Sequence, residues 1–184
     1  MNTILSKSLA ALLIAMPLAA AEPSSFLGVK ANVAGKASYK DIKGSSTRTK
    51  IQTRALNVEV SNFGKEDIPG VKVKWWIFGH TMKDHKLVKL GQGERVVLVP
   101  ARDGFKFASS KVEATGTRKH KVSSRKRPGK KSRGKKSRTT TKTVPASGKE
   151  YYGYAVEIYV GGKLVASKYS QPSFEKELHP KKQF

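Results

Sequence analysis

The stretch YYGYAVEIYVGGKLVASKYS, residues 151–170, limits the fold more than any other part of the chain. Tyr152, Tyr154, Val156, Ile158 and Val160 alternate with Gly153, Ala155, Glu157 and Tyr159. A period of two is the pattern of a β-strand whose two faces meet different surroundings. Gly161 and Gly162 follow, tolerant of the positive φ that a two-residue hairpin turn demands. That turn pairs Val160 with Lys163, Ile158 with Val165 and Tyr154 with Tyr169, and so predicts Val165 and Tyr169 on the core face.

A second strand reads RALNVEVSNFG, with Leu56, Val58 and Val60 against Ala55, Asn57 and Glu59. The turn GKEDIPG leads into VKVKWWIF. There Val71, Val73, Trp75 and Ile77 share one face, and Lys72, Lys74, Trp76 and Phe78 the other. The lysines mark the second face as the solvent side. Trp76 and Phe78 are expected to be buried under a terminal strand or loop, the alternative being a partner surface or a glycan-stacking surface. Weaker strands are expected over residues 26–33, 86–90 and 95–99, and over 105–114 with a break at Ser109-Ser110. Gly91-Gln92-Gly93 and Asp103-Gly104 are read as turns between them. Beyond the first residues no segment keeps a helical period. The expectation is an all-β chain, an antiparallel β-sandwich of about seven strands, forming a single domain over 22–184. With no Cys in the sequence, an apolar core must stabilise it without disulfides.

VEVSNFGKEDIPGVKVKWWIFG resembles the Ig-like or fibronectin III-like sandwiches of exported bacterial proteins, especially the CARDB type. The matching positions are Asn62 and Gly64 at a strand end, Val71 and Val73 in the next strand, and Gly79 at its close. LVPARDGFKF resembles that family's mid-domain turn and AVEIYVGGKLV its last hairpin. The likeness runs over about residues 55–170, interrupted by a basic segment. It implies adhesion, binding or architecture, and carries over no catalytic residue.

Residues 1–21 read as a signal peptide. Lys7 precedes SLAALLIAMPLAAA, an apolar run that ends in an A-x-A pattern, which places cleavage between Ala21 and Glu22. The run falls short of the ~20 residues a membrane span needs, and Pro17 interrupts it. Export to a bacterial periplasm or beyond is expected, with no integral span after signal removal. The missing Cys closes the lipid-anchored route.

Formal net charge is +24, and much of it is concentrated in one place. Between Glu113 and Glu150 there is no acid. From Arg118 to Lys142 there are thirteen cations: Arg118, Lys119, Lys121, Arg125, Lys126, Arg127, Lys130, Lys131, Arg133, Lys135, Lys136, Arg138 and Lys142. GKKSR occurs twice in succession, at 129–133 and 134–138. Repulsion and the lack of apolar side chains predict a long disordered basic loop over 118–143. These cations are the candidate site for an anionic polymer or anionic surface: acidic glycan, lipopolysaccharide or extracellular DNA. Counterion release from such polymers drives binding without an ordered pocket. No aromatic residue lies among them, so base stacking is excluded within the segment. The bland reading is a solvated insertion on a structural or assembly domain that meets a protein partner through a sandwich face or edge.

Other constellations are weaker. His80, Asp84 and His85 in HTMKDH are read as a hairpin loop and not as a metal site. No G-x-S-x-G or phosphate-cradling loop occurs, so no enzyme, metal or cofactor is expected. The tail, residues 174–184, is expected to fray.

Overall fold

The computed structural model describes residues 26–126 and 138–180; the expected signal peptide and its Ala21–Glu22 cleavage site lie outside them. The described chain forms strands β1 (Leu27–Asp41), β2 (Arg48–Asn62), β3 (Ile68–Thr81), β4 (Leu87–Val99) and β5 (Gly104–Ala108). They are followed by β6 (Val112–Thr117), β7 (His120–Lys126), β8 (Arg138–Val144), β9 (Ser147–Val160), β10 (Lys163–Tyr169) and the helix α1 (Ser173–Leu178). The fold is all-β and antiparallel, with ten strands where about seven were expected. The surplus comes from β7, β8 and the division of 104–117 into β5 and β6. That division falls at Ser109-Ser110, as the sequence indicates. Ser109 bridges it, its hydroxyl accepting from the Leu56 amide at 2.9 Å and its own amide donating to the Leu56 carbonyl at 2.8 Å.

Strand order is β1-β2-β6-β9-β3-β4, with β5 pairing β2 beyond β6 and β10 pairing β9. Two layers result, joined where β9 leaves β6 at Gly148 and continues along β3. Between them lie Leu56, Val58 and Val60 of β2, Val71, Val73 and Ile77 of β3, Val97 and Val99 of β4, and Val156 and Ile158 of β9. Those of β2, β3 and β9 are the alternating apolar positions read from the sequence, and burial removes each side chain of the cluster from water at a gain of about 25 cal/mol per Å². Asn62 closes the β2–β3 loop from a buried position. Its side chain donates to the Glu66 carbonyl at 2.8 Å and accepts from the Gly64 amide at 2.8 Å.

Three expectations are corrected. Gly91-Gln92-Gly93 is no turn, since β4 runs through it. Gly93 sits opposite Trp75, and a Cβ there would lie 2.4 Å from the indole; its lack of a side chain serves packing. In the last hairpin Val160 does pair with Lys163, across Gly161 and Gly162 at φ 56° and 83°. A bulge between Leu164 and Ala166 then shifts the register, so Ile158 meets Ala166 and Tyr169 meets Ala155. Val165 still packs on the central core, but Tyr169 moves to the outer face.

The third correction concerns the tail. Residues 173–178 are helical, and Phe174 is fully buried. Its ring stacks on Phe78 at 4.4 Å, above Gly153, where a Cβ would come within 2.6 Å of it. Trp76, Leu87, Tyr169 and Leu178 complete this second cluster. Burial of the Phe78 face was expected; its cover is the terminal helix and not a strand or loop.

Beside the helix, Glu157 is only 1% exposed. It accepts hydrogen bonds from the Tyr159 hydroxyl at 2.5 Å and the Tyr169 hydroxyl at 2.7 Å, and it meets His179 Nε2 at 2.7 Å. A buried carboxylate is tolerable only when so satisfied. Burial, and then the bond to Glu157, pushes the Tyr159 phenol up to about 12 and raises that of Tyr169 as well.

Phe174→Ala should destabilise the protein by roughly 3–5 kcal/mol, the usual cost of truncating a buried Phe, as read by chemical denaturation. The phenols donate only while neutral, and their folded values lie above the ordinary value of about 10. Their contribution is therefore intact below pH ~10 and lost as pH rises toward ~12. The denaturation midpoint should fall across that window, with phenolate absorbance appearing together with unfolding.

Candidate functional site

Strands β7 and β8 form a separate two-stranded ribbon, inserted between β6 and β9. Part of the segment expected to be disordered is thus ordered in register, from His120↔Val144 to Lys126↔Arg138. The physical reason lies in its composition. Near its root the ribbon alternates Val122, Ser123, Ser124, Thr139, Thr140, Thr141, Thr143 and Val144, largely β-branched or hydroxylated residues suited to strands. Lys121 pairs with Thr143, and Lys142 with Val122. The two lysines project from opposite faces, which keeps like charges apart. His120 is buried, with Nδ1 2.8 Å from the Arg118 carbonyl oxygen. The Ser123 amide donates to the Gly44 carbonyl at 3.0 Å and fastens the ribbon to the β1–β2 turn. Gly44 holds φ 77°, and a Cβ there would lie 2.7 Å from the Ser123 carbonyl oxygen.

Of the thirteen candidate cations, Arg118, Lys119, Lys121 and Lys142 are exposed on or beside the ribbon root. Arg125, Lys126 and Arg138 occupy its paired far end. Arg127, Lys130, Lys131, Arg133, Lys135 and Lys136 lie outside the described residues.

Sequence reasoning missed what stands next to the root. Beyond Leu56, the core-facing positions of β2 turn polar: Arg54, Gln52, Lys50 and Arg48. Across the sheet from Lys50 stand Tyr39 on one side and Gly116 on the other, and Gly116 in turn pairs with Gly148. The mouth of the sandwich holds a depression at this place, lined in part by Gly116 and by Met82, whose side chain packs against that glycine. It is a cleft of about 390 Å³, lined by Tyr39, Arg48, Lys50, Gln52, Arg118 and Glu150, among others. Lys40 and Lys43 lie at the adjoining β1 end.

Charge in the cleft is mixed. Lys50 makes an ion pair with Glu150, and Arg48 pairs with Asp41 at 2.7 Å. The hydrogen bond from Lys50, aided by its charge and those of His80 and Arg118, holds the Glu150 carboxyl below its ordinary value against the opposing effect of burial. Tyr39 is 61% exposed at the rim. The signal for this cluster was present in the sequence as the basic run Lys36 to Lys50, but only the sheet register brings it beside the ribbon.

Elsewhere, Asp84 accepts from the Thr81 hydroxyl and pairs with Lys86, while the His80 ring lies edge-on to Tyr152 and 5.4 Å from His85. Among the described residues no three His, Asp or Glu converge as a metal site, and no helix is long and apolar enough to cross a membrane.

No protein-family model matches the chain, and no curated protein matches it. Among the solved structures similar to it are the following two. An X-ray structure of a structural-genomics target, SoR45, is 8% identical, with 71% of this chain and 86% of that one covered and a TM-score of 0.32. A crystal structure from Akkermansia muciniphila is 13% identical, with 83% of this chain and 76% of that one covered and a TM-score of 0.26. Similarity at that level carries no argument about fold or function.

Gly44→Ala should strain the turn and push against the Ser123 carbonyl. Amide exchange at Ser123 is expected to accelerate, while the β3 and β9 core amides keep their protection.

Proposed function

We propose that this chain is a non-catalytic, exported binding module that holds a polyanion at the ribbon end of its sandwich. One observation carries the reading. Arg48, Lys50, Arg118 and Lys119, from separate parts of the sequence, gather at the root of a ribbon whose own segment has no acid. The two acids nearby, Asp41 and Glu150, are each already paired with a cation. The net positive field that remains over a rigid support attracts polyanions and speeds their encounter. The sandwich acts as scaffold, in keeping with the resemblance to exported Ig-like, CARDB-like domains, and the A-x-A leader supports export.

A second reading is a structural or assembly domain in which the ribbon is a solvated insertion. It draws on the free side of β4, where Val96 and Leu98 are 60% and 52% exposed. Such a contact would be apolar and would survive high salt.

The test is retention of the mature chain on heparin and on immobilised DNA under a salt gradient. It is compared with a variant in which the twelve cations from Lys119 to Lys142 are replaced by Gln. The elution salt should drop sharply for the variant, and on duplex DNA each lost phosphate contact should flatten the log–log salt slope by about 0.9. Elution at the same salt as the native chain overturns the reading. A native-host partner retained at high salt, and indifferent to the substitutions, supports the second.

A further inference from the structure

We infer that the polyanion is an acidic polysaccharide, sugar rings bearing carboxylate or sulfate, and that the cleft at the sandwich mouth reads it. This rests on the polyanion reading above and narrows it to one class of ligand at one place.

A bare phosphate backbone asks only for cations. The cleft offers more than that. Arg48, Lys50 and Arg118 provide donors for a carboxylate or sulfate, and Arg can grip either with two parallel hydrogen bonds. Glu150 lines the same cleft and is kept ionised by Lys50. A carboxylate there repels phosphate, sulfate and sugar carboxylate alike, but it accepts hydrogen bonds from the hydroxyls of a sugar, which the DNA backbone does not offer. Ser46, Thr47 and Gln52 add neutral polar groups to the lining. At the rim Tyr39 presents an exposed ring, an apolar face with a polar tip, against which the C–H face of a sugar can lie.

Size and position agree with this assignment. At about 390 Å³ the cleft falls toward the small end of ligand pockets, which run to about 300–1,000 Å³. It lies open at the end of the sandwich, so a polymer can enter and leave it without threading. The ribbon root stands alongside, with Arg118 both lining the cleft and lying in the short link from β6 to β7. A chain seated in the cleft therefore passes on to Lys119 and Lys121. Specific contact in the cleft and general attraction along the ribbon are then two parts of one binding surface.

Calorimetric titration of the mature chain with heparin and polygalacturonate oligosaccharides, and with single- and double-stranded DNA of matched charge, tests the inference. Tyr39→Ala should weaken both oligosaccharides severalfold and leave both DNAs unchanged. Glu150→Gln removes a negative charge that faces every one of these polymers and weakens an acceptor that only the sugars use, so it should strengthen the DNAs more than the oligosaccharides. Melting curves establish that both variants remain folded. If Tyr39→Ala leaves oligosaccharide affinity unchanged and Glu150→Gln strengthens all the polymers alike, the cleft does not read sugars and the inference fails. It also fails if Tyr39→Ala weakens single-stranded DNA as much as the oligosaccharides, for the ring is then a base platform. The ribbon variant with its twelve cations replaced separates the two levels. If it loses affinity for every polymer while the cleft variants lose none, the polyanion reading stands without the sugar assignment. If no polymer binds the native chain, both fall.

Discussion

Strand β9 ties the two layers of the sandwich together through three ladders. Its first residues pair with β6, its middle with β3 and its last with β10. On its inner face Val156 and Ile158 fill the core, while on its outer face Gly153 and Ala155 make room for Phe174. Glu157, facing outward between them, gathers two tyrosines and the histidine beyond the helix. Glu150, near the strand's start, sets the charge of the cleft. A single strand thus fixes the core, the tail and the candidate site in relation to one another.

The cleft exists because the inner face of the sandwich outruns its apolar residues. From Leu56 to Val60 the β2 side chains facing inward are aliphatic; from Arg54 to Arg48 they are polar or charged. Cations there are half-hydrated and partly paired, as in Lys50–Glu150, so the mouth is wet but structured. Exposed ion pairs of this kind add little to stability. In the proposed reading their weight falls on recognition, through the placement of donors and acceptors.

Legibility in the sequence followed the range of the interactions. The alternation at 56–60, 71–77 and 152–160 reports on local backbone geometry, and it located the main strands and their core faces. The positive-φ pair Gly161-Gly162 likewise fixed the last turn. What escaped notice depended on distant partners. Phe174 looks like a lone ring in a polar tail until Phe78 and Gly153 are opposite it. Gly93 looks like a turn until Trp75 lies across it. The bulge after Leu164 leaves no trace in an eight-residue pattern and reverses the side of Tyr169. Charge density alone predicted a structureless loop, because it ignores the Ser, Thr and Val that pair near the ribbon root. Of the candidate site, the basic run was visible and the cleft was not, since Tyr39, Lys50 and Glu150 meet only through sheet register.

The ribbon leaves and rejoins the body at adjoining points: Gly116 pairs with Gly148 and Thr117 with Ser147, immediately before the excursion departs and after it returns. The two ends are held together by the sheet itself, whatever lies between them. Ring closure therefore costs little, and the intervening cassette can change in length or chemistry without disturbing the hydrophobic interior. The architecture separates a chassis from an interchangeable attachment, so that new surface chemistry requires only a splice at one edge.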